Sequence, residues 1–353
     1  MTIYYLLYLC FPFFYILFSK VAIYGNEKLI RSCIYGLAVF CILAFRHPSM
    51  GMDLGYNQSF GYLASYQYLS SLSFSDLLSL PNFLNYEKGF VFFNWCLGFL
   101  GDDYQILLVA CAFLSIIPVA ILFYKESVSL ELSYIIYLSL QSFLICFSGL
   151  RQGIAVGICS IAFLFIQKHE YKKFIVLVLL ASTFHSSSFL FLLAYPLYYV
   201  KIKKNKRLYF LLGLLIVFLL KETLFYWICN SLNIKRTIDN NGAVTYFIVY
   251  CALYVFCAFF ADENEKNNGL LNLTFFACIC LVFTNIYSIA MRACYCYINL
   301  LPLILPTALN DIQNKYLKLS TKIIVVICFS LFALNALYNT YWAMAYPYMF
   351  FWE

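Results

Sequence analysis

Charge is what this chain has least of. Only 11% of its 353 residues are Asp, Glu, Lys or Arg, and 64% are hydrophobic. A soluble domain carries about a quarter charged residues, so that class is excluded. No polar stretch is long enough for a water-soluble domain, and the longest, residues 46–88, is itself rich in Tyr, Leu and Phe. Among fifteen cysteines there is no Cys-x-x-Cys pair and no Cys/His spacing suited to zinc. Many cysteines sit inside apolar runs, where the thiol acts as a small hydrophobe. No Asp-x-Asp motif is present, Asp102 and Asp103 being adjacent, and neither a metal nor another cofactor is expected. Internal repeats and low-complexity linkers are also missing. The first apolar stretch begins at Thr2 without a basic leader or a small-residue cleavage pattern, so a retained helix is expected there. No lipidation or retention signal is evident at either end.

What is there is a succession of apolar runs. They lie near residues 2–24, 28–46, 104–124, 129–148, 150–167, 171–186, 187–202, 207–230, 244–261, 269–289, 291–309 and 321–342. Crossing a bilayer takes about 20 apolar residues, so the chain reads as an all-α polytopic membrane protein with about 12 transmembrane helices. It forms one integral membrane domain over 1–353. The piece 89–100 is too short to cross and reads as interfacial or re-entrant.

With that piece not crossing, most of the 23 Lys and Arg collect on one side, which the positive-inside bias places in the cytoplasm. The opposite side keeps Arg46, Lys88, Arg151, Lys221, Lys235, Arg236 and Arg292. Residues 47–88 become an outer, periplasmic loop, with an interfacial helix expected within 56–80. The aromatic end, Tyr346 to Trp352, reads as an interfacial anchor.

The outward charges fall in short clusters, and charges near membrane depth are functional suspects. Arg46 leaves a helix into a polar elbow, where Pro48 stops the helix and Gly51 and Gly55 permit tight turns before Asp53. Glu87 lies in Tyr86-Glu87-Lys88-Gly89. Gly149, Gly153 and Gly157 share a face at four-residue spacing, so a neighbouring backbone can approach while Arg151 points away. Arg151 also stands at a helix N-terminus, which favours anions. His185 occupies a turn followed by serines. Arg292 follows Asn285 and Tyr287 at the outer end of a helix pair. Each has a plainer reading. The arginines would contact lipid headgroups, Asp53 would hold Arg46, Glu87 would serve a helix dipole, and His185 would be a satisfied polar group.

These segments resemble the EpsG-type family of bacterial exopolysaccharide membrane proteins, which overlaps the Wzy-type polysaccharide polymerases. The resemblance rests on Phe45-Arg46 with Gly51, Asp53 and Tyr56, on Tyr86-Glu87-Lys88-Gly89-Phe90, on Leu150-Arg151-Gln152-Gly153-Ile154-Ala155, and on Phe184-His185-Ser186. It covers roughly residues 30–200, and Arg292 matches a later family arginine less specifically. The first elbow departs from the family's Gly-Thr-Asp, having Met52 before Asp53.

The resemblance implies a membrane glycosyltransferase (GT-C-like) fold. It implies a polymerase in the bacterial inner membrane, facing the periplasm, that makes O-antigen or exopolysaccharide. The glycan would pass from undecaprenyl diphosphate to the acceptor sugar of another lipid-linked repeat unit. Arg46, Arg151 and Arg292 would bind the diphosphate in place of a metal. His185, Asp53 or Glu87, in that order, would take the acceptor proton. Tyr56, Tyr86 and Gln152 would contact sugar. Partners would be membrane lipids, the lipid-linked oligosaccharide and a chain-length regulator, with no nucleic acid. The competing readings are a flippase of lipid-linked oligosaccharide and an O-antigen ligase or acyltransferase.

Overall fold

The computed structural model describes residues 2–20, 26–81, 85–207, 209–231, 238 and 244–353. Lys235 and Arg236, expected on the outward side, lie outside the described residues. Regular structure in the described residues is helical, apart from one isolated antiparallel bridge between Arg46 and Phe350.

In chain order the helices are α1 (Thr2–Lys20), α2 (Glu27–Ala44), α3 (Tyr62–Ser70), α4 (Phe74–Ser79), α5 (Lys88–Leu97) and α6 (Tyr104–Glu126). Next come α7 (Leu130–Ser139), α8 (Gln141–Ser148), α9 (Leu150–Ile166), α10 (Tyr171–Phe184), α11 (Ala194–Tyr199) and α12 (Tyr209–Leu219). The last are α13 (Lys221–Ser231), α14 (Val244–Phe260), α15 (Glu265–Thr284), α16 (Met291–Ile298), α17 (Leu301–Asn310) and α18 (Lys315–Asn339).

Helix therefore stands at every expected apolar run, but not always as a full crossing. Among the described residues, only α6, α15 and α18 are long and apolar enough to span by themselves. Three broken pairs raise the number to as many as 6, among them α7 with α8, bent by 57°, and α16 with α17, bent by 44°. The breaks have local causes. Leu140 is extended between α7 and α8. Pro302 in the first turn of α17 has no N–H to continue the preceding helix. With its 3₁₀ extension, α5 ends at Leu100, making it about 20 Å long, short of the hydrocarbon thickness. The helix expected within 56–80 is two short pieces, α3 and α4.

The helices pack as two compact units, Met1–Phe189 with Ile323–Glu353, and Leu190–Lys322. In the first unit α9 lies against α6 and α10, α2 packs on α6, and α5 meets α3 and α10. A Cβ on Gly157 would lie 2.2 Å from the Leu114 carbonyl oxygen, and one on Gly153 2.9 Å from Ser115 Oγ. Two of the three spaced glycines thus do admit α6. Gly149 instead separates α8 from α9. Leu54, Tyr66, Phe90, Leu107, Cys111, Leu150 and Ile154 form a buried core beneath the loop helices.

In the second unit α15 is the central helix, contacted by α11, α12, α14, α16 and α17. Asn272 donates to the Leu197 carbonyl (2.9 Å) and the Val200 carbonyl (2.7 Å), fixing the end of α11.

Candidate functional site

The first unit brings charged clusters of its sequence together around Arg151. The side chain leaves the first turn of α9, away from Gly153 and Gly157, as their angular separation requires. Its Nη1 donates to Glu87 Oε2 at 2.6 Å, and its Nε donates to the Tyr62 hydroxyl at 3.0 Å. The guanidinium lies 4.4 Å from the centre of the Tyr86 ring and 5.7 Å from that of Tyr62. Cation–π attraction and charge-assisted hydrogen bonds act together here. The Arg151 side chain stays 16% exposed, so the cluster is reachable from outside.

Glu87 holds the N-cap position of α5, yet its side chain makes no cap bond. It turns instead to three partners on other elements. Besides Arg151, its Oε1 accepts the Ser186 N–H at 2.9 Å and lies 3.4 Å from His185 Nδ1. Gly89 makes this possible, because α5 approaches α10 until a Cβ there would sit 2.2 Å from Thr183 Oγ1. Burial opposes the charged carboxylate, but the Ser186 N–H and the Arg151 guanidinium outweigh it and hold the Glu87 carboxyl below the usual carboxylate range. A carboxylate so held is a strong acceptor and a weak base.

His185 caps the C-terminus of α10 in an extended conformation and is buried. Its Nε2 is 3.1 Å from Gln152 Nε2, which can only donate, so the Nε2 is the acceptor and Nδ1 faces Glu87. Gln152, expected at a sugar, is buried one residue after Arg151 and supports His185.

Asp53 sits in a 3₁₀ turn (Met52–Leu54) of the elbow. Its N–H donates to Ser148 Oγ at 3.0 Å, three residues before Arg151. The carboxylate is exposed and holds no ion pair among the described residues. It is near enough to help burial push the Tyr62 phenol up to about 12, against the pull of Arg151. Asp53 does not hold Arg46. Tyr56 is half-buried, edge-on to His47 with ring centres 4.9 Å apart.

The two other arginines are placed differently. Arg46 is 1% exposed, and it donates to the carbonyls of Leu43 and Phe147, each at 3.1 Å. Arg292 belongs to the second unit, where it is exposed in the first turn of α16.

Tyr62 and the Ser186 amide are the members that the residue pattern missed as ligands of the charged pair. With 32 tyrosines in the chain, nothing local marks Tyr62 out. The C-terminal aromatics hold a further surprise. Instead of forming only an anchor, residues 342–351 run back along the elbow and hydrogen-bond to it.

No curated protein and no solved structure matches the chain. The profile of the EpsG family does match, over residues 29–350, a span containing every residue of this cluster. The chain thus belongs to the EpsG family and is a membrane protein of polysaccharide biosynthesis.

Proposed function

We propose that this protein is a polysaccharide polymerase, transferring a growing glycan from undecaprenyl diphosphate to a sugar hydroxyl of another lipid-linked repeat unit. The observation that carries the reading is the Arg151 cluster: a half-buried arginine, aimed by Glu87 and Tyr62, with one edge still open. Family membership supports a lipid-linked polysaccharide substrate. The cluster would face the periplasm from a multi-pass protein of the inner membrane, built on a GT-C-like plan.

In the reaction the bond between the anomeric carbon and the diphosphate oxygen breaks. A new bond forms from that carbon to the acceptor oxygen, and the hydroxyl proton goes to a base. Negative charge grows on the departing diphosphate, and Arg151 is set to stabilise it. Removing one such preorganised donor typically costs about 10²–10³ in rate. Its Nη2 has no protein acceptor among the described residues, which leaves that edge for a phosphate oxygen.

For the base we reorder the candidates and put Asp53 first. It is exposed and holds no ion pair among the described residues, whereas Glu87 is neutralised by Arg151, and His185 is buried with its acceptor nitrogen occupied by Gln152. Tyr86, packed on the guanidinium, is the sugar-stacking candidate, with Tyr56 beyond it. Arg292 is the second unit's phosphate-binding candidate.

The test is complementation of a deletion strain, with lipid-linked and surface polysaccharide read on a gel at matched membrane levels. Arg151→Ala should leave single repeat units without a ladder. An unchanged ladder would remove Arg151 from the chemistry, and loss of even the single surface unit would indicate a flippase.

A further inference from the structure

A buried guanidinium needs a reason, because desolvating it is costly unless its donors are used. Arg46 has no carboxylate partner among the described residues. Its Nη1 donates to Leu43 O, in the last turn of α2, and its Nη2 to Phe147 O, in the last turn of α8. Both carbonyls stand at the negative ends of helices, where a cation is favoured. The Phe147 ring also lies under the guanidinium, 5.3 Å away. One arginine therefore ties two helix ends together.

The second of those ends carries the site. Phe147 is four residues before Arg151, and only Ser148, Gly149 and Leu150 intervene. The same end is gripped twice more by the elbow. Gly51, at φ +120°, leaves so little room that a Cβ would lie 2.0 Å from Phe147 O, and Asp53 N–H donates to Ser148 Oγ.

Arg46 is itself covered by the C-terminal segment. Phe351 N–H donates to Phe45 O (3.0 Å), His47 N–H to Met349 O (2.9 Å), and Met52 N–H to Trp342 O (3.1 Å). The Tyr348 hydroxyl adds a bond to Ile42 O at 2.9 Å, and Tyr4 OH reaches Ala345 O at 2.6 Å. Residues 342–351 thus form a strap over the elbow.

We propose that Arg46 is a positioning residue: under the C-terminal strap, it fixes the α8–α9 junction and so aims Arg151 at a phosphate. This rests on the reading of Arg151 as the phosphate-binding cation. A lysine at position 46 would keep the charge but could not bridge two carbonyls with a planar fork.

The test uses the full chain purified in detergent, with inorganic pyrophosphate as the probe and the shift in unfolding temperature as the readout. Wild type, Arg151→Ala, Arg46→Lys and Arg46→Met are compared, and each is also scored for ladder formation in cells at matched membrane levels.

The expected result is that Arg46→Lys and Arg46→Met both weaken pyrophosphate binding at least tenfold and shorten the ladder. Normal binding and a normal ladder in both Arg46 variants would overturn the positioning role. So would a loss accompanied by an equal fall in the unfolding temperature of the unliganded protein, because that is general destabilisation and not a misaimed Arg151. If Arg151→Ala itself binds pyrophosphate as wild type does, the underlying reading of Arg151 falls, and the positioning role with it.

Discussion

Gly89 and Thr183 are packed so closely that a Cβ on the glycine would lie 2.2 Å from the threonine Oγ1. That single approach lets Glu87, two residues before the glycine, reach Ser186 and His185 just beyond the threonine. The acidic and histidine motifs become one site through a missing methyl group.

Gly89→Ala should therefore act on the site from outside it. Over-packing of this kind typically costs about 1–3 kcal/mol, because α5 or α10 must shift. The expected outcome is a lower unfolding temperature of the purified protein and a shortened ladder in cells. A wild-type ladder at wild-type stability would show that the approach can be relaxed without consequence.

Glu87→Gln tests the acid that aims Arg151. The amide keeps the shape but not the charge, and a hydrogen bond to a charged group is worth about 1.5–3 kcal/mol. Partial exposure of both side chains puts the expected loss toward the lower end. The ladder should shorten as Arg151 loses its orientation, and thermal unfolding measures the stability loss directly.

The pH dependence follows from the same carboxylate. In the folded protein Glu87 is held below its ordinary value, so the folded state binds its proton less readily than the unfolded chain does. Its contribution to stability is then complete above the unfolded value of about 4.3 and is lost as pH falls through the lower folded value. Wild type should be more stable than Glu87→Gln at neutral pH, and the gap should close in acid. Unfolding temperatures of both proteins from pH 7 to pH 3 give the comparison, and a gap as wide at pH 3 as at pH 7 would contradict it.

His185 separates a supporting role from a catalytic one. Its buried Nε2 accepts from Gln152, and its Nδ1 faces Glu87 at 3.4 Å, a placement that suits a supporting role. His185→Gln, which keeps a donor and an acceptor, should retain a ladder whose pH dependence matches wild type. Asp53→Asn should abolish the ladder without changing membrane level. The reverse pattern, with the histidine variant dead and the asparagine variant active, would return His185 to the role of base.

Hydropathy alone determined the membrane character of this chain and the positions of its helices, because burial of apolar runs is a local property read within some twenty residues. Apart from Tyr62, the members of the candidate site were also legible as local motifs: Arg46 to Asp53, Tyr86 to Gly89, Gly149 to Gly153, and His185 with its serines. What those motifs do to one another was not legible. Arg151 and Glu87 are 64 residues apart, and Arg46 and Phe147 are 101 apart. Such pairings depend on which helix faces meet, and no spacing encodes that. The α8–α9 break, the close approach at Gly89 and the returning strap decided it. They left one of two arginines of similar appearance half-exposed beside Glu87 and buried the other between two helix ends.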